Sequence, residues 1–379
     1  MAYFITGGTG FIGRNFIDKL AQREGDIYVL TRAGSMHKFE ELQERLGTHS
    51  ERLVPVTGDL TQPLLGLDEA TVADLKGKIR HFCHFAAIYD MSADAESQAR
   101  TNIEGTRNAV RLAEALDAGC FQHVSSIAAG GLYQGTFRED MFEEAEGLDH
   151  PYFSTKHDSE AVVREECQVP WRVYRPAMVV GNSKSGEIDK IDGVYYFFKS
   201  LQKLRSVLPP WFPLVGIEGG KFNVVPVDYV VDAMDHIVHL DDLDGRCFHL
   251  TDSEHHSIGN LMNIFAEAGH APRLSMRLDT RIFGFIPRFV RDTLAGLPPV
   301  KRIISTLLED AGLPDSITMF INYPTRYDNR DTERALKGTG IRCPHLPDYA
   351  PVIWDYWERN LDPDLFVDHS LEGNVGGKI

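Results

Sequence analysis

MAYFITGGTGFIGRNFIDKL (residues 1–20) joins a short apolar strand to a glycine-rich turn and then to a helix. Ala2 to Thr6 reads as a buried strand, Gly7, Gly10 and Gly13 follow at three-residue spacing, and Asn15 to Leu20 reads as helix. Without Cβ atoms the chain can turn tightly, a pyrophosphate can reach backbone amides, and the dipole of the following helix faces the negative charge. Strand, glycines and helix in this order predict a dinucleotide site at Thr6, Gly7, Gly10, Phe11, Ile12, Gly13 and Arg14.

Working outward, a second strand (26–30) ends in Thr31-Arg32. An NAD site ordinarily places an acid about 20 positions past the glycines, to hold the ribose hydroxyls. Arg32 stands there instead, and a guanidinium suits a 2′-phosphate. With Arg14 as a second cation, the expected cofactor is NADPH. Gly58-Asp59-Leu60 closes a third strand (53–56), where Asp59 can accept from an adenine amino group. A fourth strand (81–85) closes in Ala86-Ala87, small enough for the cofactor to lie close. The plainer alternatives are a turn residue at Asp59 and surface arginines at 14 and 32. His81 and His84 flank Cys83, but strand neighbours alternate faces and no further ligands cluster there, so no metal is expected.

The chemistry lies further on. A strand (121–124) runs into Ser125-Ser126, and Asp149-His150-Pro151-Tyr152-Phe153-Ser154-Thr155-Lys156 follows. Pro151 suits the first turn of a helix, which puts Tyr152 and Lys156 on one face at i and i+4. A phenol of pKa ~10 is a poor acid–base catalyst at neutral pH, and a neighbouring ammonium favours its ionised form. A serine at a strand's C-terminal end lies where parallel sheets bind ligands, placed to hold a carbonyl oxygen.

Bulk properties set the limits. The 379 residues, 43% of them apolar, suffice for one large cofactor domain and a smaller companion. The formal net charge of −16 argues against a nucleic-acid partner. Five scattered cysteines form neither a disulfide framework nor a metal pair, and a cytoplasmic setting is the default. No apolar run reaches membrane-spanning length, and the opening MAYFITGG offers no signal peptide.

Gly-Gly-Thr-Gly-Phe-Ile-Gly (7–13), Gly-Asp-Leu (58–60), Asn-Ile-Glu-Gly-Thr (102–106), Val-Ser-Ser (124–126), Tyr-x-x-x-Lys (152–156) and Arg-Pro (175–176) occur in order. Together they resemble an extended short-chain dehydrogenase/reductase across residues 1 to about 250. The resemblance implies an α/β, Rossmann-type doubly wound parallel sheet with a smaller, mostly helical substrate region. It implies a catalytic set of Ser126, Tyr152, Lys156 and Asn102, with Tyr152, Lys156, Arg175 and Pro176 also at the cofactor. Ser126 matches the family serine better than Ser125 does. Segments 84–90, 185–198, 223–228 and 349–357 narrow the likeness to the N-terminal half of bacterial alcohol-forming fatty acyl-CoA reductases.

That likeness implies a Rossmann domain of 1–182 plus 222–250 and a substrate region of 183–221 plus 251–379. It also implies a second reductase domain following Gly376-Gly377-Lys378-Ile379 in the same polypeptide. The substrate expected is a long-chain fatty aldehyde reduced to the alcohol, the alternative being a fatty acyl-CoA. A sugar-nucleotide epimerase or dehydratase on the same fold is disfavoured by Arg32. Val224 to Val227 reads as a returning strand with Asp228 as N-cap of the next helix. Aromatic segments at 195–198, 211–212 and 283–289 are core or acyl-tunnel wall. Residues 281–308 mix apolar side chains with Arg281, Arg288, Arg291, Lys301 and Arg302: an amphipathic helical lid, or a surface that docks on a membrane, holds CoA phosphates or packs on the second reductase half. The sequence leaves a homo-oligomer open.

Overall fold

Strands with almost no exposed residue alternate with helices that are apolar on one side, and this alternation builds the sheet. The computed structural model describes residues 2–87, 99–189, 191, 193–279 and 323–366. Seven parallel strands form the sheet: β1 (Ala2–Thr6), β2 (Ile27–Thr31), β3 (Leu53–Thr57), β4 (Ile79–His84), β5 (Cys120–Val124), β6 (Trp171–Pro176) and β7 (Arg246–Leu250). Their spatial order is β3-β2-β1-β4-β5-β6-β7. The order reverses between β1 and β4, whose register pairs Thr6 with His84. A crevice at the carboxyl ends of these two strands is where open α/β sheets bind ligands.

Helices cover both faces, which is why the strands are apolar on both sides. Tyr3 and Ile5 face α1 (Phe11–Leu20), α2 (Met36–Leu46) and the helix Val227–Val238. Ala2 and Phe4 face α3 (Glu69–Leu75), α4 (Gly105–Ala115) and α5 (Pro151–Glu166). Asp228 is not the cap expected of it. Pro226 occupies that position, and Asp228 lies in the first turn, where its carboxylate still faces the positive end of the helix dipole.

The chain divides into two compact units. The first holds the sheet and comprises, among described residues, 2–180, 220–257 and 323–344. Residues 251–257 and 323–344, expected in the substrate region, thus belong with the sheet. Glu139 holds the later segment there. Its buried carboxylate accepts from the Thr332 amide at 3.0 Å, the Thr332 hydroxyl at 2.6 Å and the His249 amide at 2.8 Å.

The second unit takes in 181–219, 258–279 and 345–366. Its core is aromatic: the Phe198 ring lies 4.7 Å from Phe265, 4.9 Å from Trp354 and 5.4 Å from Trp357. Tyr195, Phe197 and Phe198 are therefore core, whereas Trp211 is 79% exposed. The stretches 283–289 and 281–308 and the chain's last four residues lie outside the described residues.

Candidate active site

The glycine loop is shaped by close approach. Gly7 has φ +70°, and a Cβ there would lie 2.6 Å from the Ala86 amide nitrogen. A Cβ on Gly13 would lie 2.3 Å from the Gly7 carbonyl oxygen. Gly10 caps α1 with no side chain, and its amide donates to the Gly7 carbonyl at 3.0 Å. The first-turn amides of Phe11, Ile12 and Gly13 thus meet no capping side chain, which suits an anion at the positive end of the helix. Ala86 and Ala87 are half-buried beside this loop. The loop's shape and donors fit a dinucleotide pyrophosphate.

Two residues expected at the cofactor, Thr6 and Leu60, are buried and make interior hydrogen bonds. Thr6 is fully buried with its hydroxyl on His84 Nδ1 at 2.7 Å. Leu60 is a core residue whose carbonyl accepts from Asn108 Nδ2 at 2.9 Å.

Arg32 projects from the end of β2 with 60% of its side chain exposed, 3.9 Å from an Asp59 oxygen. Asp59 accepts from both the amide and the hydroxyl of Thr61 at 2.8 Å, which holds its carboxyl below the usual carboxylate range. Arg32 and Arg100 lower it further. Arg100 was not visible from the sequence: it precedes Asn102 by two positions, and its charge acts on Asp59 only in the folded chain. Arg14 lies over the Phe11 ring, 5.4 Å from its centroid.

The catalytic candidates lie on α5 and the turn it packs against. Pro151 opens α5 and His150 caps it, accepting from the Tyr152 amide at 3.1 Å. Ser126 follows β5 and caps a short 3-10 turn (Ile127–Gly130) by accepting from the Ala128 amide at 3.2 Å. Tyr152 and Ile127 pack on one cluster that includes Phe153, Tyr323 and Tyr327. Tyr152 thus packs on one cluster with the residue that follows Ser126. Tyr323, another residue the sequence reading missed, donates from its hydroxyl to the Gly131 carbonyl at 2.8 Å. Lys156 is 5% exposed, and burial pulls its amine down to about 8. Asn102 sits in a single π turn (Arg100–Glu104), whose marker is the Gly105 amide bonded to the Arg100 carbonyl. Its Nδ2 donates to the Thr155 hydroxyl at 3.4 Å.

Ser125 and Arg175 are excluded from direct chemistry by their partners. The Ser125 hydroxyl donates to Glu160 Oε2 at 2.9 Å. Arg175, expected at the cofactor, is 0% exposed, with Nε and Nη2 on the Glu160 carboxylate and Nη1 on the Met141 carbonyl. A guanidinium so enclosed organises the protein interior and does not reach a ligand. Pro176 beside it is buried at the end of β6.

Sheet order, glycine loop and the Tyr-x-x-x-Lys helix define an extended short-chain dehydrogenase/reductase-type protein on a Rossmann fold. The chain belongs to the family of NAD-binding domains described as "Male sterility protein", whose model matches residues 5–234. It is 26% identical over 387 residues to "Non-canonical nonribosomal peptide synthetase hkm10" of Aspergillus hancockii, covering 97% of this chain and 36% of the synthetase. It is also 26% identical over 435 residues to "Putative fatty acyl-CoA reductase CG8306" of Drosophila melanogaster, covering 94% of this chain and 83% of that protein. The chain thus spans about a third of the synthetase but most of the insect protein. Among solved structures, the terminal R domain from the myxalamid PKS-NRPS biosynthetic pathway matches with a TM-score of 0.72 at 24% identity. That match covers 94% of this chain and 90% of that one, a likeness of fold. Among the described residues, no helix is long and apolar enough to cross a membrane.

Proposed function

We propose that the chain reduces the carbonyl of a long-chain fatty aldehyde to the alcohol with NADPH. The observation that carries this reading is Tyr152 and Lys156 one turn apart on α5, with Tyr152 packed on the same cluster as the turn that Ser126 caps. Arg32 beside Asp59, with the charge of Arg100 also acting there, favours a cofactor bearing a 2′-phosphate.

NADPH, when bound along the glycine loop, supplies a hydride to the carbonyl carbon. The Ser126 hydroxyl donates to the carbonyl oxygen and orients it. Tyr152 gives its proton to that oxygen as negative charge develops, so aldehyde, hydride and proton together make the alcohol. Lys156, still an ammonium at neutral pH with its amine at about 8, stabilises the resulting phenolate and holds the nicotinamide ribose.

A second reading has a relative's name in its favour, since the acyl-CoA in "Putative fatty acyl-CoA reductase CG8306" is a thioester. The first hydride would then expel a thiol, and a second NADPH would be needed to reach the alcohol. Single-turnover reactions with NADPH and either a C16 aldehyde or its acyl-CoA separate the two. Rapid NADPH oxidation with the aldehyde supports the proposal; oxidation with acyl-CoA and none with the aldehyde replaces it by the thioester reading.

A further inference from the structure

His84 ends β4 and His123 stands opposite it on β5, their rings stacked 5.6 Å apart at 16°. Both are buried, yet their partners differ completely. Among the described residues, neither ring nitrogen of His123 has a hydrogen-bond partner. His84 uses both: Nδ1 lies 2.7 Å from the Thr6 hydroxyl and Nε2 lies 3.1 Å from the Thr106 hydroxyl.

Proton counting gives the bonds a direction. Thr106 donates its one hydroxyl proton to the Asn102 carbonyl at 2.6 Å. Its oxygen must therefore accept from His84 Nε2–H, which leaves Nδ1 bare to accept from the Thr6 hydroxyl. Burial lowers the His84 pKa well below its ordinary value, so the ring stays neutral and keeps this tautomer. The run continues from Asn102 Nδ2 to the Thr155 hydroxyl, which donates to the Pro151 carbonyl at 2.7 Å. It begins one residue before the glycine loop and ends in the first turn of the Tyr152 helix.

We propose that His84 is a positioning residue: by bridging Thr6 and Thr106 it sets the π turn bearing Asn102, and through Thr155 the helix bearing Tyr152 and Lys156, relative to the cofactor crevice. The inference rests on the reductase reading above. A misplacement of about 1 Å from a residue outside the chemistry can cost on the order of a hundredfold in rate, whereas a histidine that only fills the core affects stability alone.

The test compares His84→Phe, His123→Phe, Thr106→Val and Thr106→Ser in the full chain. Each is assayed for kcat and KM with aldehyde, for NADPH affinity by nucleotide fluorescence and for melting temperature. Expected is a fall in kcat of about tenfold or more for His84→Phe and Thr106→Val. NADPH affinity should stay within about threefold, and a variant combining His84→Phe with Thr106→Val should lose no more than either single one, because both break one bridge. Thr106→Ser, which keeps the hydroxyl, and His123→Phe, which breaks no bond, should hold kcat within about twofold of the parent.

The inference is overturned if His84→Phe keeps parental kcat while its melting temperature falls, or if the two losses multiply. Should His84→Phe not fold, the Thr106→Val and Thr106→Ser pair decides: equal kcat values overturn it. Tyr152→Phe runs alongside. An inactive Tyr152→Phe beside a fully active His84→Phe removes the positioning role alone. An active Tyr152→Phe removes the reductase reading and this inference with it.

Discussion

Glu160 lies one helical turn beyond Lys156 and binds Arg175 through hydrogen bonds of 2.9 and 2.6 Å, both side chains fully buried. Arg164 and Ser125 also donate to this carboxylate. The surrounding cations hold its pKa well below the ordinary carboxylate range despite burial. Removing one partner strands a buried charge. Arg175→Met is expected to cost about 3–5 kcal/mol of stability, measured by urea unfolding.

The two adjacent serines should separate by the property each affects. Ser126→Ala removes the hydroxyl assigned to the substrate oxygen, so kcat/KM should fall about a hundredfold. Its stability should drop by only about 1 kcal/mol, for the lost cap on Ala128. Ser125→Ala takes a donor from buried Glu160 and should cost about 1–3 kcal/mol while the folded protein keeps its kcat. The reverse pattern would exchange their roles.

Lys156 should make the protein less stable at neutral pH than it need be. Its folded pKa is about 8 against an ordinary 10.5, because burial penalises the ammonium. Below pH 8 both states carry the proton and the folded state bears the full penalty. Between 8 and 10.5 the unfolded chain holds more protons, so stability rises with pH. Lys156→Met should abolish turnover, raise neutral-pH stability by at most about 3 kcal/mol and flatten the rise above pH 8. Unfolding midpoints across pH 6–10 would check it.

Cofactor choice should follow the cations at Asp59. Arg32→Ala combined with Arg100→Ala should weaken NADPH by about tenfold or more and leave NADH within about threefold. Equal loss for both nucleotides would mean that the arginines do not read a 2′-phosphate.

Gly13→Ala tests the loop by shape alone. Its Cβ would fall 2.3 Å from the Gly7 carbonyl, a contact that only backbone movement relieves. A stability loss of about 1–3 kcal/mol is expected, with loss of nucleotide binding seen in fluorescence titration.

What could be read in advance was local. The glycine spacing lies within one turn and the start of one helix, and Tyr152 and Lys156 share a face because four residues make about one turn. Asp228 shows the limit even there, since the helix begins two residues earlier than the capping pattern implied. Arg175 was legible as part of a motif and misleading as to role. Thr6 and Leu60 likewise stand next to the site in sequence but turn inward.

The alternation of strand and helix, the glycine loop and the catalytic spacing were all legible in the amino-acid order, because each depends on backbone geometry over a few residues. The folded chain was needed to show which serine is committed to Glu160 and that the charge of Arg100 adds to that of Arg32 on Asp59. It also decided that His84 bridges Thr6 and Thr106, and that residues 323–344 return to the sheet. These pairings join residues tens to hundreds of positions apart. Their partners are chosen by strand order and by the need of buried polar groups for hydrogen bonds, and no local period in the chain records either.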